Sequence, residues 1–321
     1  MPRHLYGLVA YRFCFQRIRN RPFVRNLAFG LTFILAFLAS GVQGRAETLQ
    51  QTPLEIKVGT FYYPWYGNAT NSWKHWNEFG HNPPSTWASN YLPDKDHAQF
   101  SPSAELYDSN DDSTVFWQLG LMKEAGIQFA ISSWWGINSY EDKAFRKILL
   151  QDMKKIGNPH PDLLWTIYYE KEGYGNPSES QITNDIEYLM NNYFSHPNFF
   201  KINGKGVIFI YADPNDEENM VTRWTNVRNS LGNIYVVLKV FPGYESYASW
   251  VDGWHQYAPA NRFEEHLPFA AYVSPGFWRY HEAPRLARDL TTFDSVVAQL
   301  NSSTALFKLI ETWNELHEGT Q

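Results

Sequence analysis

The stretch that decides the fold lies at the end of the chain. It reads Ala305-Leu306-Phe307-Lys308-Leu309-Ile310-Glu311-Thr312-Trp313, followed by Asn314-Glu315-Leu316-His317-Glu318-Gly319-Thr320-Gln321. The first nine residues are mainly apolar or aromatic and predict a buried β-strand. The segment after them holds two glutamates, three residues apart. In α/β barrels, side chains that follow the carboxyl ends of the strands gather over one rim. The pattern therefore predicts a strand that brings Glu315 and Glu318 to such a rim.

Runs of similar character occur seven more times upstream, and each is followed by polar residues. With the last run, the strand candidates are residues 56–63, 127–134, 163–169, 206–211, 234–240, 251–257, 269–273 and 305–313. Amphipathic stretches typical of helices lie at 113–125, 141–156, 179–193, 216–231 and 284–300. Alternating strands and helices predict a parallel sheet, and eight units predict closure into a (β/α)8 TIM barrel, an α/β fold.

Local signals mark two helix starts and indicate a single domain. Ser178 and Gln181 have the spacing of a capping box, and Pro284 suits the first turn of a helix. No Ser/Gly-rich or charged linker divides residues 47–321, which predicts one barrel domain.

The chain stops directly after the eighth strand candidate, so the final barrel helix is missing. We expect a fragment that ends early at Gln321; the alternative is that another element covers this strand.

The first 46 residues have the composition of an export signal. Residues 1–26 contain six arginines and no acid, an apolar stretch follows at 27–39, and small residues flank Arg45. We expect a secretory signal peptide cleaved after Ala46, with a secreted or periplasmic mature protein. The alternative is a membrane anchor over residues 27–42, which barely reaches the roughly 20 apolar residues that a spanning helix needs.

Charge and cysteine content exclude several classes of function. The only cysteine, Cys14, lies in the export segment, so the remaining chain has no disulfide and no cysteine nucleophile. Removing residues 1–46 takes away seven arginines and no acid, which changes the net charge from −6 to −13. A nucleic acid backbone is repelled by such a field, whereas a neutral glycan is indifferent to it.

Metal and cofactor sites are not indicated. His317-Glu318 lacks the second histidine of a His-Glu-x-x-His site, and no other dense cluster of histidine and aspartate occurs. Gly-rich phosphate-binding loops are absent as well. We therefore expect no cofactor.

Polar and aromatic residues follow most strand candidates, where a barrel has its pocket. The aromatic content of 17% suits sugar binding, because ring faces cover the apolar side of a pyranose while nearby polar groups bind its hydroxyls. The long segment 67–113 is expected to roof this pocket. The residues at the rim are Tyr62, Tyr63, Trp65, Tyr66, Trp134, Trp135, Glu170, Glu172, Tyr211, Asp213, Trp254, His255, Tyr257, residues 275–277, Glu315 and Glu318.

Each of these residues also has an alternative interpretation. Adjacent strand residues face opposite sides, so either Trp134 or Trp135 belongs to the core. For Glu170 the alternative is a salt bridge, and for His255 and His317 it is a structural hydrogen bond. An acid pair at the spacing of Glu315 and Glu318 also occurs on solvated faces. Two carboxyl groups in one pocket, however, suit the cleavage of a glycosidic bond.

Several motifs resemble glycoside hydrolase family 99, the endo-α-mannosidases and endo-α-1,2-mannanases. The most specific are His75-Trp76-Asn77 and the terminal 314–321 segment. Further matches are residues 61–68, Ser133-Trp134, Glu170, residues 253–257 and residues 275–277. The resemblance covers nearly all of 56–321. It is accompanied by departures at Trp135-Gly136-Ile137, Lys171 and Leu316, which leave the shape of the subsites open.

The resemblance implies a mechanism and a set of site residues. It implies retaining, metal-independent cleavage inside α-mannosyl chains through a 1,2-anhydro sugar, with no enzyme-bound ester. Glu315 would be the base acting on the substrate 2-hydroxyl, and Glu318 the acid that protonates the leaving oxygen and then activates water. The substrate-binding candidates are Tyr63, Trp65, His75, Trp76, Asn77, Trp134, Glu170, Tyr257 and His317.

We therefore expect a secreted hydrolase that acts on α-mannan or another mannose-containing oligosaccharide. Acid and base differ in charge when a partly apolar pocket raises the pKa of one carboxyl group and hydrogen bonds keep its partner ionised. Two alternatives remain open at this point. One is a non-catalytic carbohydrate-binding barrel, and the other is a hydrolase of a different polysaccharide.

Overall fold

The structure is a computed structural model. It describes residue 55 and residues 57–68, 72–83, 106–212, 215–279 and 282–320. The export segment, Asp213, Gln321 and most of the predicted roof lie outside these residues. No helix in the described part is long and apolar enough to cross a membrane.

Eight parallel strands form the barrel, as the sequence predicted. The strands are β1 Lys57–Tyr62, β2 Phe129–Trp134, β3 Leu164–Tyr169, β4 Lys201–Ile202, β5 Lys205–Ile210, β6 Ile234–Lys239, β7 Gly253–His255, β8 Phe263–His266, β9 Ala270–Val273 and β10 Phe307–Ile310. The hydrogen-bonded order of the barrel is β7-β6-β5-β3-β2-β1-β10-β9, and β7 lies beside β9, so the barrel is nearly closed. Two short strands add to this barrel: β4 pairs antiparallel with β5, and β8 pairs antiparallel with β9.

Helices connect most of the barrel strands. They are α1 Asp112–Ala125, α2 Tyr140–Leu150, α3 Glu172–Gly175, α4 Glu179–Leu189, α5 Glu217–Leu231 and α6 Leu290–Ser302. The capping box of Ser178 and Gln181 is confirmed at the start of α4. The prediction that Pro284 begins a helix is wrong. Residue Leu286 instead bridges back to Phe277, and α6 begins only after Asp289, whose side chain accepts the N–H of Thr291.

Two apolar layers result from the alternation of the strands. The side chains on one face of the sheet fill the barrel interior, where the rings of Phe209 and Phe307 lie 5.1 Å apart and Phe129 packs beside them. The side chains on the other face pack against the helices, as Trp165 and Trp224 do. Functional groups therefore occupy only the upper end of the interior, above a floor of rings.

The last strand is shorter than predicted, and this shapes the site. β10 ends at Ile310, whereas the apolar run continues to Trp313. Thr312 leaves the ladder because its N–H bonds to the carbonyl oxygen of Thr320 and its hydroxyl lies 2.8 Å from the hydroxyl of that residue. The segment 312–320 therefore forms a closed loop over the end of the barrel. The terminal loop is the name we use for it below.

A close approach inside the barrel generates a prediction about stability. A Cβ atom at Gly59 would lie 2.3 Å from the ring of Phe129, whereas a Cβ atom at Gly120, within α1, would meet nothing closer than 3.8 Å. Gly59→Ala should lower the free energy of unfolding by about 1–3 kcal/mol through overpacking. The matched change Gly120→Ala should be neutral or raise it by about 0.5–1 kcal/mol. Chemical denaturation of both variants checks this, and equal stability of the two would contradict the packing described.

Candidate active site

Asn314 fastens the terminal loop to the first strand. Its side-chain oxygen accepts the N–H of Tyr63 at 2.7 Å, and its amide nitrogen donates to the carbonyl oxygen of Tyr63 at 2.8 Å. The same nitrogen lies 3.1 Å from the hydroxyl of Tyr107. Asn314 is fully buried, so these bonds are shielded from water. They set the two glutamates beside the aromatic residues that follow β1.

Glu315 is the buried member of the pair. One carboxyl oxygen accepts the N–H of His317 at 3.0 Å, and its own N–H donates to the Thr312 hydroxyl. Burial raises the pKa of Glu315 well above its ordinary value, and the charge of Glu318 raises it further. Both effects favour the protonated form of Glu315.

Glu318 is the accessible member of the pair, with 21% of its side chain exposed. One carboxyl oxygen accepts the hydroxyl of Tyr257 at 3.1 Å, and the other forms an ion pair with Arg279 at 3.0 Å. The N–H of Trp278 donates to the carbonyl oxygen of Glu318 and holds the backbone in place. Both carboxyl oxygens of Glu318 are therefore bound by side-chain donors in the free protein.

Glu170 and Tyr63 complete the centre of the site. Glu170 is buried at the end of β3 and accepts the hydroxyl of Ser133 at 2.8 Å. Burial raises the pKa of Glu170 to about 8, and the charge of Glu318 contributes to this. Burial also raises the pKa of the Tyr63 phenol, with the charges of Glu170 and Glu315 as the next causes. The phenol therefore lies near both carboxyl groups, and the predicted convergence of residues from β1, β3 and the terminal loop is present.

A stack of rings forms one wall. The rings of Tyr63 and Trp65 lie 4.4 Å apart, and those of Trp65 and His75 lie 4.0 Å apart. The Nε2 atom of His317 lies 2.7 Å from the carbonyl oxygen of His75, which joins this wall to the terminal loop. Burial lowers the pKa of His317 well below its ordinary value, so the imidazole is neutral. His317 therefore shapes the wall and carries no charge.

In the His75-Trp76-Asn77 motif, Trp76 and Asn77 have different surroundings from His75. Trp76 is fully buried, and its indole N–H donates to the carbonyl oxygen of Tyr107 at 2.8 Å. It packs with Leu316, the buried apolar residue of the terminal loop. Asn77 is exposed. Trp76 therefore supports the terminal loop from below through Leu316, and the departure at Leu316 lies in the core.

The structure does not bring Trp134 to the site. Its side chain is fully buried between β2 and α2, where the indole N–H donates to Asp142 at 2.9 Å. Ser133 faces the interior instead and binds Glu170. Trp135, which follows the strand, is half-buried at the rim, with its ring 4.8 Å from that of Tyr174. The period of two residues thus gives the core position to Trp134 and the rim position to Trp135.

Two further rim candidates serve the structure. His255 is fully buried inside the barrel, with Nε2 3.3 Å from the hydroxyl of Tyr168, and burial lowers its pKa to about 3. Glu172 is buried in an ion pair with Arg223 and accepts the indole N–H of Trp224 at 2.8 Å. His255 and Glu172 therefore lie buried in structural contacts, below or beside the pocket.

Three charged residues were missed by the sequence analysis. Glu311 is fully buried after β10, and both its oxygens accept the N–H of Ala258, at 3.1 and 3.2 Å. Lys239 ends β6 with its ammonium 4.8 Å from the centre of the Tyr211 ring. Arg279 binds Glu318. Glu311 and Lys239 could have been found from the sequence, because each is a charged residue at the end of an otherwise apolar strand. No local pattern marked Arg279.

Among the described residues, no group of three or more histidine, aspartate or glutamate side chains has an arrangement that could hold a metal ion.

A family model for glycosyl hydrolase family 99 matches residues 53–258, which is more than half of the chain. The chain belongs to glycosyl hydrolase family 99. Because members of this family are glycoside hydrolases, the protein is a glycoside hydrolase, and its two rim glutamates fit that chemistry. The predicted family is confirmed.

Relatives and solved structures agree with this family. The glycoprotein endo-alpha-1,2-mannosidase of Mus musculus is 24% identical over 84% of this chain and 68% of the mouse protein. A glycoprotein endo-alpha-1,2-mannosidase-like protein of Homo sapiens is 22% identical over 81% and 67%. The family 99 endo-alpha-mannosidase of Bacteroides thetaiotaomicron superposes with a TM-score of 0.61 at 20% identity, covering 84% of this chain and 87% of the other. This last likeness shows the shared barrel fold.

The environment of Glu311 in this family 99 protein predicts how stability depends on pH. Burial raises the pKa of Glu311 well above its ordinary value, so the folded protein keeps a proton that the unfolded chain has lost. Stability therefore falls as pH rises above the ordinary carboxyl range. Glu311→Gln removes this ionisation while keeping an acceptor for Ala258. The drop in Tm between pH 5 and pH 9 should shrink by at least about 2 °C.

Thermal unfolding followed by circular dichroism at both pH values provides the measurement. The control is Glu265→Gln, since Glu265 is exposed on β8. An unchanged drop in the Glu311→Gln protein, equal to that of the control, would show that Glu311 is not a protonated buried group.

Proposed function

We propose that this protein is an endo-acting hydrolase that cleaves internal α-mannosyl linkages of glycans with retention of configuration. The observation that carries the proposal is the pairing of a buried glutamate, Glu315, with an accessible one, Glu318, at the rim of a family 99 barrel. The relatives named as endo-alpha-1,2-mannosidases support the choice of an α-mannoside. The substrate class is α-mannan or a mannose-containing oligosaccharide.

In the proposed reaction the substrate supplies the nucleophile. Glu315 takes the proton of the sugar 2-hydroxyl as that oxygen attacks the anomeric carbon. The glycosidic bond breaks, and Glu318 gives its proton to the leaving oxygen, which leaves a 1,2-anhydro sugar. Glu318 then takes a proton from water as the water oxygen attacks the anomeric carbon. The ring-opened sugar oxygen recovers its proton from Glu315, so both glutamates return to their starting states.

The charges of the free protein have a consequence for this mechanism. Without substrate, burial raises the pKa of Glu315, while Arg279 and Tyr257 bind the two carboxyl oxygens of Glu318. The proposed reaction begins with Glu315 ionised and Glu318 protonated. We propose that a bound sugar displaces Arg279 from Glu318 and donates its 2-hydroxyl to Glu315, which moves the proton to Glu318. The net charge of the pair does not change in this step.

Sugar contacts are assigned by position around this pair. Tyr63, Trp65 and His75 would contact the sugar from one wall, with Glu170 and Tyr257 binding hydroxyls near the cleaved bond. His317 would orient the terminal loop, and Asn77, exposed beside the wall, would bind an outer hydroxyl. Trp135 would take the rim contact that the sequence analysis gave to Trp134. We retain the proposal that residues 1–46 export the protein, which would give it access to extracytoplasmic glycans.

Replacing the proposed acid tests the function directly. Glu318→Gln should slow the release of new reducing ends from α-1,2-mannan by about 10²–10⁴-fold, because Gln cannot protonate the leaving oxygen. Glu282→Gln is the matched control, since Glu282 is an exposed glutamate that forms an ion pair with Arg285. Activity of the control should stay close to that of the unmodified protein.

The leaving group provides a second arm of the same experiment. An aryl α-mannoside with an acidic phenol needs little protonation, so its first cleavage step should lose much less in Glu318→Gln than that of mannan. Full activity of Glu318→Gln on mannan would refute the assigned role. Binding of mannan fragments by the unmodified protein without new reducing ends would favour the non-catalytic carbohydrate-binding barrel.

A further inference from the structure

The connection between β7 and β8 carries Tyr257 to Glu318. Residues 256–262 form this connection and contain no helix or strand. The Tyr257 segment is the name we use for them. The hydroxyl of Tyr257 donates to Glu318 at 3.1 Å. Because the segment has no regular structure of its own, its contacts with other elements decide where this hydroxyl lies.

Two other elements of the barrel fix the backbone directly after Tyr257. Both carboxyl oxygens of Glu311, which follows β10, accept the N–H of Ala258, at 3.1 and 3.2 Å. The hydroxyl of Tyr272, on β9, lies 3.2 Å from the carbonyl oxygen of Ala258. The peptide groups on both sides of Ala258 are therefore held by side chains from distant parts of the chain.

Strand β8 supports the same segment from the outside. The carboxyl group of Glu264 accepts the side-chain amides of Gln256, at 3.4 Å, and Asn261, at 3.2 Å. The Nε2 atom of His266 lies 2.7 Å from Glu264, and the hydroxyl of Tyr272 lies 3.1 Å from it. Glu264 thus joins the two ends of the Tyr257 segment to each other and to the residue that binds Ala258.

Glu311 is an unusual choice for a purely structural contact. It is fully buried, and burying a carboxyl group is costly. The charge of Glu318 contributes to the raised pKa of Glu311, so the two groups lie near each other. Costly buried acids of this kind are concentrated at functional sites. The reaction proposed above nevertheless gives Glu311 no part.

We propose that Glu311 is a positioning residue, which holds Ala258 so that the Tyr257 hydroxyl stays on Glu318. The inference rests on the proposed function and deepens it, because it names the group that keeps the proposed acid in its orientation. Glu311 acts through Tyr257 and not by contact with the sugar. Without Glu311, the Tyr257 segment would shift and Glu318 would lose the donor on one of its oxygens.

The first test separates catalysis from binding. Glu311→Ala should lower kcat on α-1,2-mannan by about 10–100-fold and change KM by less than about threefold, because misplacing an acid affects the reaction more than sugar binding. Glu311→Gln keeps an oxygen that accepts the N–H of Ala258 and should restore kcat to near that of the unmodified protein. An equally low kcat in both variants would overturn the inference.

The control is Asp152→Ala, which also removes a fully buried carboxyl group. Asp152 binds Lys147 and Lys155 beyond the C-terminal end of α2, at the end of the barrel opposite the rim. This change should lower stability and leave the kcat of the folded protein unchanged. A loss of kcat equal to that of Glu311→Ala would mean that lost stability alone explains the effect.

A double-mutant comparison tests the route through Tyr257. Tyr257→Phe removes the hydroxyl, so adding Glu311→Ala to it should lower kcat by less than about twofold more. The same loss in both backgrounds would overturn the inference. Glu264→Ala leaves Glu311 in place and provides a second variant should Glu311→Ala not fold. It should lower kcat by about threefold, the effect of about one lost hydrogen bond, and Glu265→Ala on the same strand should not.

NMR of protein labelled with ¹³C at the tyrosine Cζ atoms separates this inference from the proposed function, since it needs no turnover. The signal of Tyr257 is the one absent from Tyr257→Phe, and it should move on Glu318→Gln. In Glu311→Ala this signal should lie elsewhere and no longer respond to Glu318→Gln, whereas Glu311→Gln should keep the response. That pattern would support the positioning role even in a protein that cleaved no mannan. A Tyr257 signal that Glu311→Ala leaves unchanged would overturn it.

Discussion

The bonds between the Asn314 side chain and the backbone of Tyr63 are the constraint on which the site depends. They join the segment after the last barrel strand to the segment after the first, across the line where β1 and β10 pair. Because Asn314 precedes Glu315 directly, a movement of this contact would displace Glu315 and Glu318. Tyr66 adds a second tie, since its hydroxyl lies 3.1 Å from the Leu316 nitrogen. The geometry of the acid pair is thus set by buried polar contacts and not by the strand alone.

The electrostatic design of the site follows from burial. Glu170, Glu311 and Glu315 lie at the end of a barrel filled with rings, and burial raises the pKa of each. Carboxyl groups gathered in an apolar setting cost stability when they ionise, and such a cost is typical of a functional site. Arg279 and Tyr257 bind the two carboxyl oxygens of Glu318. Two glutamates three residues apart therefore have different surroundings, one buried and the other partly exposed beside a guanidinium.

The fold and the acid pair were predictable because they rest on local patterns. All eight barrel strands were found from their apolar runs, and Glu315 and Glu318 from their place after the last run. The short strand β8 was missed, because its sequence Phe263-Glu264-Glu265-His266 is mostly polar and half-exposed. It forms because it pairs with β9, and a single sequence does not reveal that partner.

The side-chain surroundings were less predictable. Trp134 and Trp135 are adjacent and chemically identical. One of them could be assigned to the core only once it was known which face of β2 points toward the helices. Trp76 belongs to a specific motif, yet it supports the terminal loop from below. Glu311 looked like part of an apolar run, and its binding to Ala258 depends on a contact between distant segments. These outcomes depend on tertiary packing, which residue spacing does not encode.

The most direct measurement of the central claim is NMR of the first product formed from an α-1,2-mannan. If Glu315 and Glu318 act as a base and an acid with the sugar 2-hydroxyl as nucleophile, the newly released reducing end should appear first as the α-anomer and only later equilibrate. A first product with the β-anomer would contradict the retaining mechanism. The absence of any new anomeric signal, with mannan bound, would contradict the assignment of this carboxyl pair to α-mannoside cleavage.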